Sequence, residues 1–445
     1  MLDKSVHVFI AKSRYMLNNT MLWYYLAMIK RSISQRLMDA LSDAPVVVLQ
    51  GARQTGKCTL AQMISHASHP YEYLTMDSLS VLEAAQTDPH SFLVGLRGKR
   101  VILDEIQRVP RLFVSIKEEV DRDRAAGRFL LTGSANAMLL PHLSDSLAGR
   151  AQLVTLWPLA QHEIASDGND AGGFIDAAFH GDFKTQRMPC NRQDVIRRAL
   201  LGGYPEVVTL AASGVPHERL RNWFEAYVTT LLQRDVRDLS NIQGLSDMPL
   251  LLRLIASRAT AALNVADLSR SSRISNVTLH RYLALLQAIY LIQLIQPWSG
   301  NLSSRLVKAP KLLMTDTGVL SYLNGLSEEQ LLATPTFAGP LVENFVGMEL
   351  LKLATWSRQR PELFYYRTHD RREVDFVLQA RSGALVGVEV KASATVESAD
   401  FKGLQSLAEA AGETFICGIV LYSGETLLPF GKNLYAVPIS ALWEF

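Results

Sequence analysis

Cysteine is scarce in this chain of 445 residues: Cys58, Cys190 and Cys417 lie far apart and form no CxxC pair. A disulfide framework or a zinc knuckle needs more thiols, closer together, so a reducing cytoplasm is the simplest compartment. Long apolar runs are also missing. The longest, Met21 to Met28, reads MLWYYLAM and falls short of the ~18 residues that cross a bilayer. No small-residue cleavage site follows it before Lys30-Arg31, so residues 1–28 are read as a leader of uncertain structure and no membrane partner is expected. An excess of one charge is absent too. Lys and Arg number 45 against 43 Asp and Glu, a net +2, so any nucleic-acid surface has to come from local clustering. What the chain has is apolar bulk. At 48% hydrophobic and 20% charged residues it is no disordered chain, and its length suits about three globular units.

The pattern changes along the chain. Ile33, Leu37, Met38 and Leu41 make one helical stripe, ended at Asp43-Ala44-Pro45. Val46 to Leu49 is a short continuous apolar run, as in a strand buried on both faces. Strand-like runs recur at Tyr71–Thr75, Val101–Leu103, Phe129–Leu131 and Leu153–Leu156 with helical stretches between them, which predicts a parallel α/β sheet over 29–165. Ser166 to Gly173 is rich in Gly and Asp and reads as a loop. A helical connecting region is expected over 166–250, a helix–turn–helix module over 251–330, and an α/β domain of alternating strands over 331–445. In that last domain a helix over Leu341–Trp356 precedes strands Leu363–Arg367, Glu373–Gln379 and Leu385–Lys391, followed by a helix near Phe401–Ala410 and a strand Phe415–Tyr422.

Gly51-Ala52-Arg53-Gln54-Thr55-Gly56-Lys57-Cys58 matches G-x-x-x-x-G-K directly after the first strand. Glycines there let backbone N–H groups approach phosphate, and the following helix points its positive end at the anion. Lys57 is the mobile cation for the β- and γ-phosphates of ATP. The last position departs from the motif: Cys58 offers a soft thiol where a hydroxyl ordinarily meets Mg²⁺, and Thr59 lies about 100° further round the helix. Hydrolysis should suffer more than binding. Val101-Ile102-Leu103-Asp104-Glu105 is an apolar strand ending in two carboxylates, Asp104 for the Mg²⁺ shell and Glu105 for the attacking water. Ser134, in Leu131-Thr132-Gly133-Ser134, is the candidate contact to the γ-phosphate. Arg150, in Leu147-Ala148-Gly149-Arg150, is the candidate finger reaching a neighbouring copy's phosphate, which would make the protein a homo-oligomer.

These strings resemble the AAA-type P-loop ATPases, and within them a bacterial and archaeal group reading GARQ-x-GKTTL, LDEIQ, LTGS and a GR-containing turn. In that group the ATPase precedes a C-terminal domain of unknown function, and the resemblance covers about residues 30–445.

Between Leu251 and Lys311 stand Arg253, Arg258, Arg270, Arg273, Arg281, Arg305, Lys308 and Lys311, against Asp267 alone. In the helix–turn–helix, Leu279, Tyr282, Leu283 and Leu286 would pack while Ser275, Asn276, Thr278, His280 and Arg281 face out. Such a face can reach phosphates and base edges, and DNA is the expected partner of a winged helix here. Further on, Asp375, Glu389 and Lys391 form D-x13-E-x-K on adjacent strands, which resembles the PD-(D/E)xK nuclease fold. That resemblance implies Mg²⁺ held by Asp375 and Glu389, an extra acidic ligand in Glu343, and a water positioned by Lys391. Together these features suggest an ATPase whose nucleotide state gates DNA access to a nuclease-like domain. The alternative is a nucleotide-dependent switch or scaffold with little hydrolysis and a non-catalytic nuclease fold.

Overall fold

The computed structural model describes residues 29–65, 71–134, 147–165, 173–181, 183–235, 247–300, 309–368, 370 and 372–445. The leader 1–28, most of the loop at 166–173, Arg305 and Lys308 lie outside these. Strands β1 (Val46–Gln50), β2 (Glu72–Thr75), β3 (Val101–Asp104), β4 (Phe129–Gly133) and β5 (Ala151–Thr155) form one all-parallel sheet in the order β2-β3-β4-β1-β5. β1, β3 and β4 are buried along their whole length, as continuous apolar runs between two helical layers must be. Alternation divides each strand between the layers. Val46 and Val48 pack with Phe113 and Ile116, while Val47 and Leu49 pack with Leu37 and Leu60.

Helices Arg192–Leu201, Pro205–Ala212 and His217–Thr230 follow, then Met248–Ala256, Val265–Ser272 and Asn276–Ala288. The last two begin at side-chain caps that satisfy free backbone N–H groups: Asn264 accepts from Asp267 N at 3.0 Å and Ser275 from Thr278 N at 3.2 Å. Between them Arg273 takes a left-handed φ of 59°. Leu279, Tyr282, Leu283 and Leu286 are buried, and Ser275, Asn276, His280 and Arg281 are exposed; Thr278, expected to face out with them, is half-buried.

A second sheet holds nine strands in the order β6-β13-β14-β12-β11-β10-β9-β7-β8. Its members are β6 (Gln186–Arg187), β7 (Ile292–Pro297), β8 (Lys311–Met314), β9 (Glu362–Arg367), β10 (Glu373–Gln379), β11 (Leu385–Lys391), β12 (Phe415–Tyr422), β13 (Thr426–Gly431) and β14 (Leu434–Pro438). The β7–β8 hairpin belongs by sequence to the helical middle, yet it joins this sheet by a short parallel pairing of β7 with β9. The sheet therefore runs across residue 330. Helix Pro335–Trp356 crosses the sheet and starts six residues before Leu341, with Pro340 inside it.

Candidate functional site

The phosphate loop is shaped from below. Gly51 has φ 152°, and a Cβ there would stand 2.2 Å from the Leu156 carbonyl oxygen, so only glycine lets the loop lie on β5. Gln54 and Gly56 also take positive φ, 62° and 92°. Arg31, which belongs to none of the motifs, is buried beneath the loop. It donates to Thr55 O (2.7 Å), Trp157 O (2.7 Å) and Glu163 Oε1 (3.0 Å). Lys57 is buried and donates to Gly51 O (3.0 Å) and Ala52 O (2.7 Å). Burial pulls its pKa below the ordinary lysine value, against the opposing charge of Glu105 and Asp104. Arg53 is half-buried, while Gln54 and Thr59 are exposed, so Thr59 does not replace Cys58.

β3 delivers the acidic pair to the same edge. Asp104 is buried and accepts from Tyr73 OH (2.6 Å) and from the Thr132 hydroxyl on β4. Glu105 turns the chain through φ 56°, and its N–H donates to Thr132 Oγ1 at 3.2 Å. Burial raises its carboxyl pKa despite a hydrogen bond from Gln107 Nε2. That same amide nitrogen donates to Ser134 Oγ at 3.2 Å, so Gln107 links the base candidate to the γ-phosphate candidate. Cys58, Asp104 and Glu105 are the one trio of metal-ligand atoms within 4.8 Å of one another among the described residues. The donors converge as a divalent cation needs; without an ion, burial and the neighbouring Asp104 push the Cys58 thiol up to about 12. Gln107 stood in the LDEIQ string. Thr132 stood in the LTGS string without a role of its own and Tyr73 in no motif, and the β2-β3-β4 order brings both to Asp104.

Arg150 lies elsewhere. It precedes β5, whose first residue pairs with Val46 at the start of β1, so it sits at the sheet edge opposite the phosphate loop. Five strand residues at ~3.3 Å separate the two edges by about 17 Å. Its guanidinium makes two bonds to Asp121, at 2.6 and 2.8 Å. In the middle module the basic cluster thins. Arg258 and Arg270 pair with Asp267 (2.8 and 3.3 Å). Lys311, counted toward a DNA surface, is buried; a sequence count cannot tell an interior lysine from an exposed one.

The C-terminal carboxylates assemble around that lysine. Lys311 Nζ lies 2.8 Å from Glu343, 3.4 Å from Asp375 and 3.4 Å from Glu373. Asp375 also accepts from Val390 N (2.9 Å), which holds it beside the residue that follows Glu389. Lys391 pairs with Glu389 at 2.9 Å. Burial, then the charge of Asp375, raises the pKa of both Glu343 and Glu389. The expected Mg²⁺ ligands Glu343, Asp375 and Glu389 thus lie in one region, but they do not close on a common point as the P-loop trio does. Lys311 stands between Glu343 and Asp375, and Lys391 holds Glu389.

Residues 43–165 match the family described as "AAA domain", residues 192–330 a "Domain of unknown function (DUF8612)", and residues 338–442 a "Domain of unknown function (DUF4143)". Among solved structures, the Walker-type ATPase paby2304 of Pyrococcus abyssi is similar at 15% identity and TM-score 0.41, covering 66% of this chain and 96% of that one. "Uncharacterized protein Rv2008c" of Mycobacterium tuberculosis and "Uncharacterized protein Mb2031c" of Mycobacterium bovis are each 30% identical over 411 residues, 92% of this chain and 83% of theirs. The chain belongs to the family of these mycobacterial proteins, and its N-terminal part is an AAA-type P-loop ATPase domain.

Proposed function

We propose that this ATPase binds ATP with Mg²⁺ and uses nucleotide state to place a DNA-binding winged helix. The observation that carries the coupling is the seat of the phosphate loop. Tyr227 OH, on helix His217–Thr230, donates to Arg53 O at 3.3 Å and meets Tyr204 OH at 2.6 Å. Ala52 lies in the same hydrophobic core as Tyr227, Leu251 and Leu279. A loop that shifts around a γ-phosphate would push directly on the helices that carry the DNA face. Helix Met248–Ala256, the bridge Ala262↔Lys311, the two capped helices and the β7–β8 hairpin follow one another as in a winged helix. Exposed Arg273 and Arg281 lie at the turn and on the outer face, where they would meet phosphate. In the C-terminal domain a helix bearing Glu343, antiparallel β9-β10-β11 and parallel β12 support the nuclease-like reading. Arg150, out of reach of its own loop, would serve a neighbouring copy.

Duplex binding measured with ATP and with ADP tests this. Lys57→Ala should weaken ATP binding about 10- to 100-fold, the loss of a charge-assisted bond, and should abolish the difference between the nucleotides. Neutralising Arg273 and Arg281 should lower the log–log salt slope by about one for each phosphate that is no longer neutralised. DNA affinity indifferent to both changes would defeat the proposal.

A further inference from the structure

We propose that the carboxylate cluster of the C-terminal domain is closed to divalent metal and that Lys311 is its built-in cation. Asp375, Glu389 and Lys391 suggested a Mg²⁺ site from sequence. The ammonium of Lys311 fills the Glu343–Asp375 side of that site, with Glu373 as its third partner, while Lys391 holds Glu389. Lys311 Nζ is within 3.4 Å of Glu343, Glu373 and Asp375, which matches the three N–H donors of a lysine. A Mg²⁺ or Mn²⁺ at ordinary oxygen distances of about 2.1 Å from the same carboxylates would overlap Nζ. The remaining donors are largely spent. Asp375 Oδ2 accepts from Val390 N and Glu389 Oε1 from Lys391. Glu389 Oε2 is buried without a partner and offers a single oxygen.

Lys311 cannot simply swing aside. It opens β8, pairs with Ile295 of β7 on one side and bridges Ala262 on the other. Leu263 N donates to Pro310 O and Leu312 N to Ala261 O, pinning the backbone before and after it. Its ammonium lies over the rings of Tyr365 and Phe376, with Nζ 5.6 and 5.4 Å from their centroids. Removing an ammonium from this setting would leave three carboxylates facing one another, which is strongly unfavourable without a replacement cation. The lysine thus does the electrostatic work of a metal ion, but it has no open coordination position at which to bind a phosphodiester oxygen or to activate water. The domain keeps a nuclease-like arrangement and does not cut.

Mn²⁺ binding to the full-length, nucleotide-free protein, followed by electron paramagnetic resonance, decides the matter. Wild type and Asp375→Asn should bind the same number of ions, since the C-terminal cluster contributes none. Lys311→Met should gain one ion per chain, and Lys311→Met with Asp375→Asn should lose it again. If the Lys311 variants fail to fold, the comparison of wild type with Asp375→Asn still decides, and unchanged stoichiometry supports the closed cluster. A wild-type ion that disappears with Asp375→Asn overturns it, as does a folded Lys311→Met that gains none. Nucleotide binding at Lys57 stands apart from every one of these readouts.

Discussion

In the proposed ATP site, Cys58 is the residue that departs from the phosphate-loop motif. A thiol is a soft, weak partner for a hard cation, so turnover should be limited by the metal. Cys58→Thr should raise kcat for ATP about tenfold, what ~1.4 kcal/mol off the barrier supplies, with little change in ATP affinity. Steady-state hydrolysis with Mg²⁺ measures it, and unchanged turnover would place the metal on other groups. The candidate site could be picked out because each of its pieces (Gly51 to Cys58, Asp104-Glu105, Ser134) is a short string at the end of an apolar strand. Lys311 could not. Its charge counts the same whether buried or exposed, and the acids that claim it come from 32 to 64 residues further along.

At the level of elements, the strands β1, β3 and β4 could be read to within a residue or two, since buried parallel strands are unbroken apolar runs, while the more exposed β5 starts two residues before the run that suggested it. The nine-stranded sheet was harder. β13 and β14 carry little alternation, and β7 reaches β9 through only two paired positions, which no local pattern records. β8 is the sheet's last strand; backbone from Thr260 to Leu263 covers the start of its open side, and a side chain covers its end at Met314. Asn344 accepts from Met314 N and donates to Met314 O, both at 2.8 Å. Replacing it by Leu leaves two buried backbone groups unpaired at ~1–3 kcal/mol each. Asn344→Leu should therefore lose about 2–6 kcal/mol in urea unfolding. A loss below ~1 kcal/mol would mean that water takes over both bonds.

For the molecule as a whole, helix Pro335–Trp356 fastens the ATPase domain to the C-terminal sheet. Lys352 Nζ donates to Leu159 O (2.9 Å) and Glu349 (2.8 Å), and Glu349 accepts from Gln161 N (2.7 Å), all of them buried. Removing one member of a buried pair costs about 3–5 kcal/mol because its partner charge stays behind. Lys352→Met should accordingly lower the melting temperature by several degrees and split one calorimetric transition into two. A single unshifted transition would show that other contacts join the domains. Arg150 bears on the molecule in a different way. A chain that offers its arginine at one sheet edge and holds nucleotide at the other has, on the proposed role, a giving end and a receiving end. Alone, it completes no site. A closed assembly, pair or ring, completes all of them, while an open row leaves one terminal site wanting. Catalysis would then be set by protein concentration as much as by any rate constant, and dilution alone would switch the enzyme off.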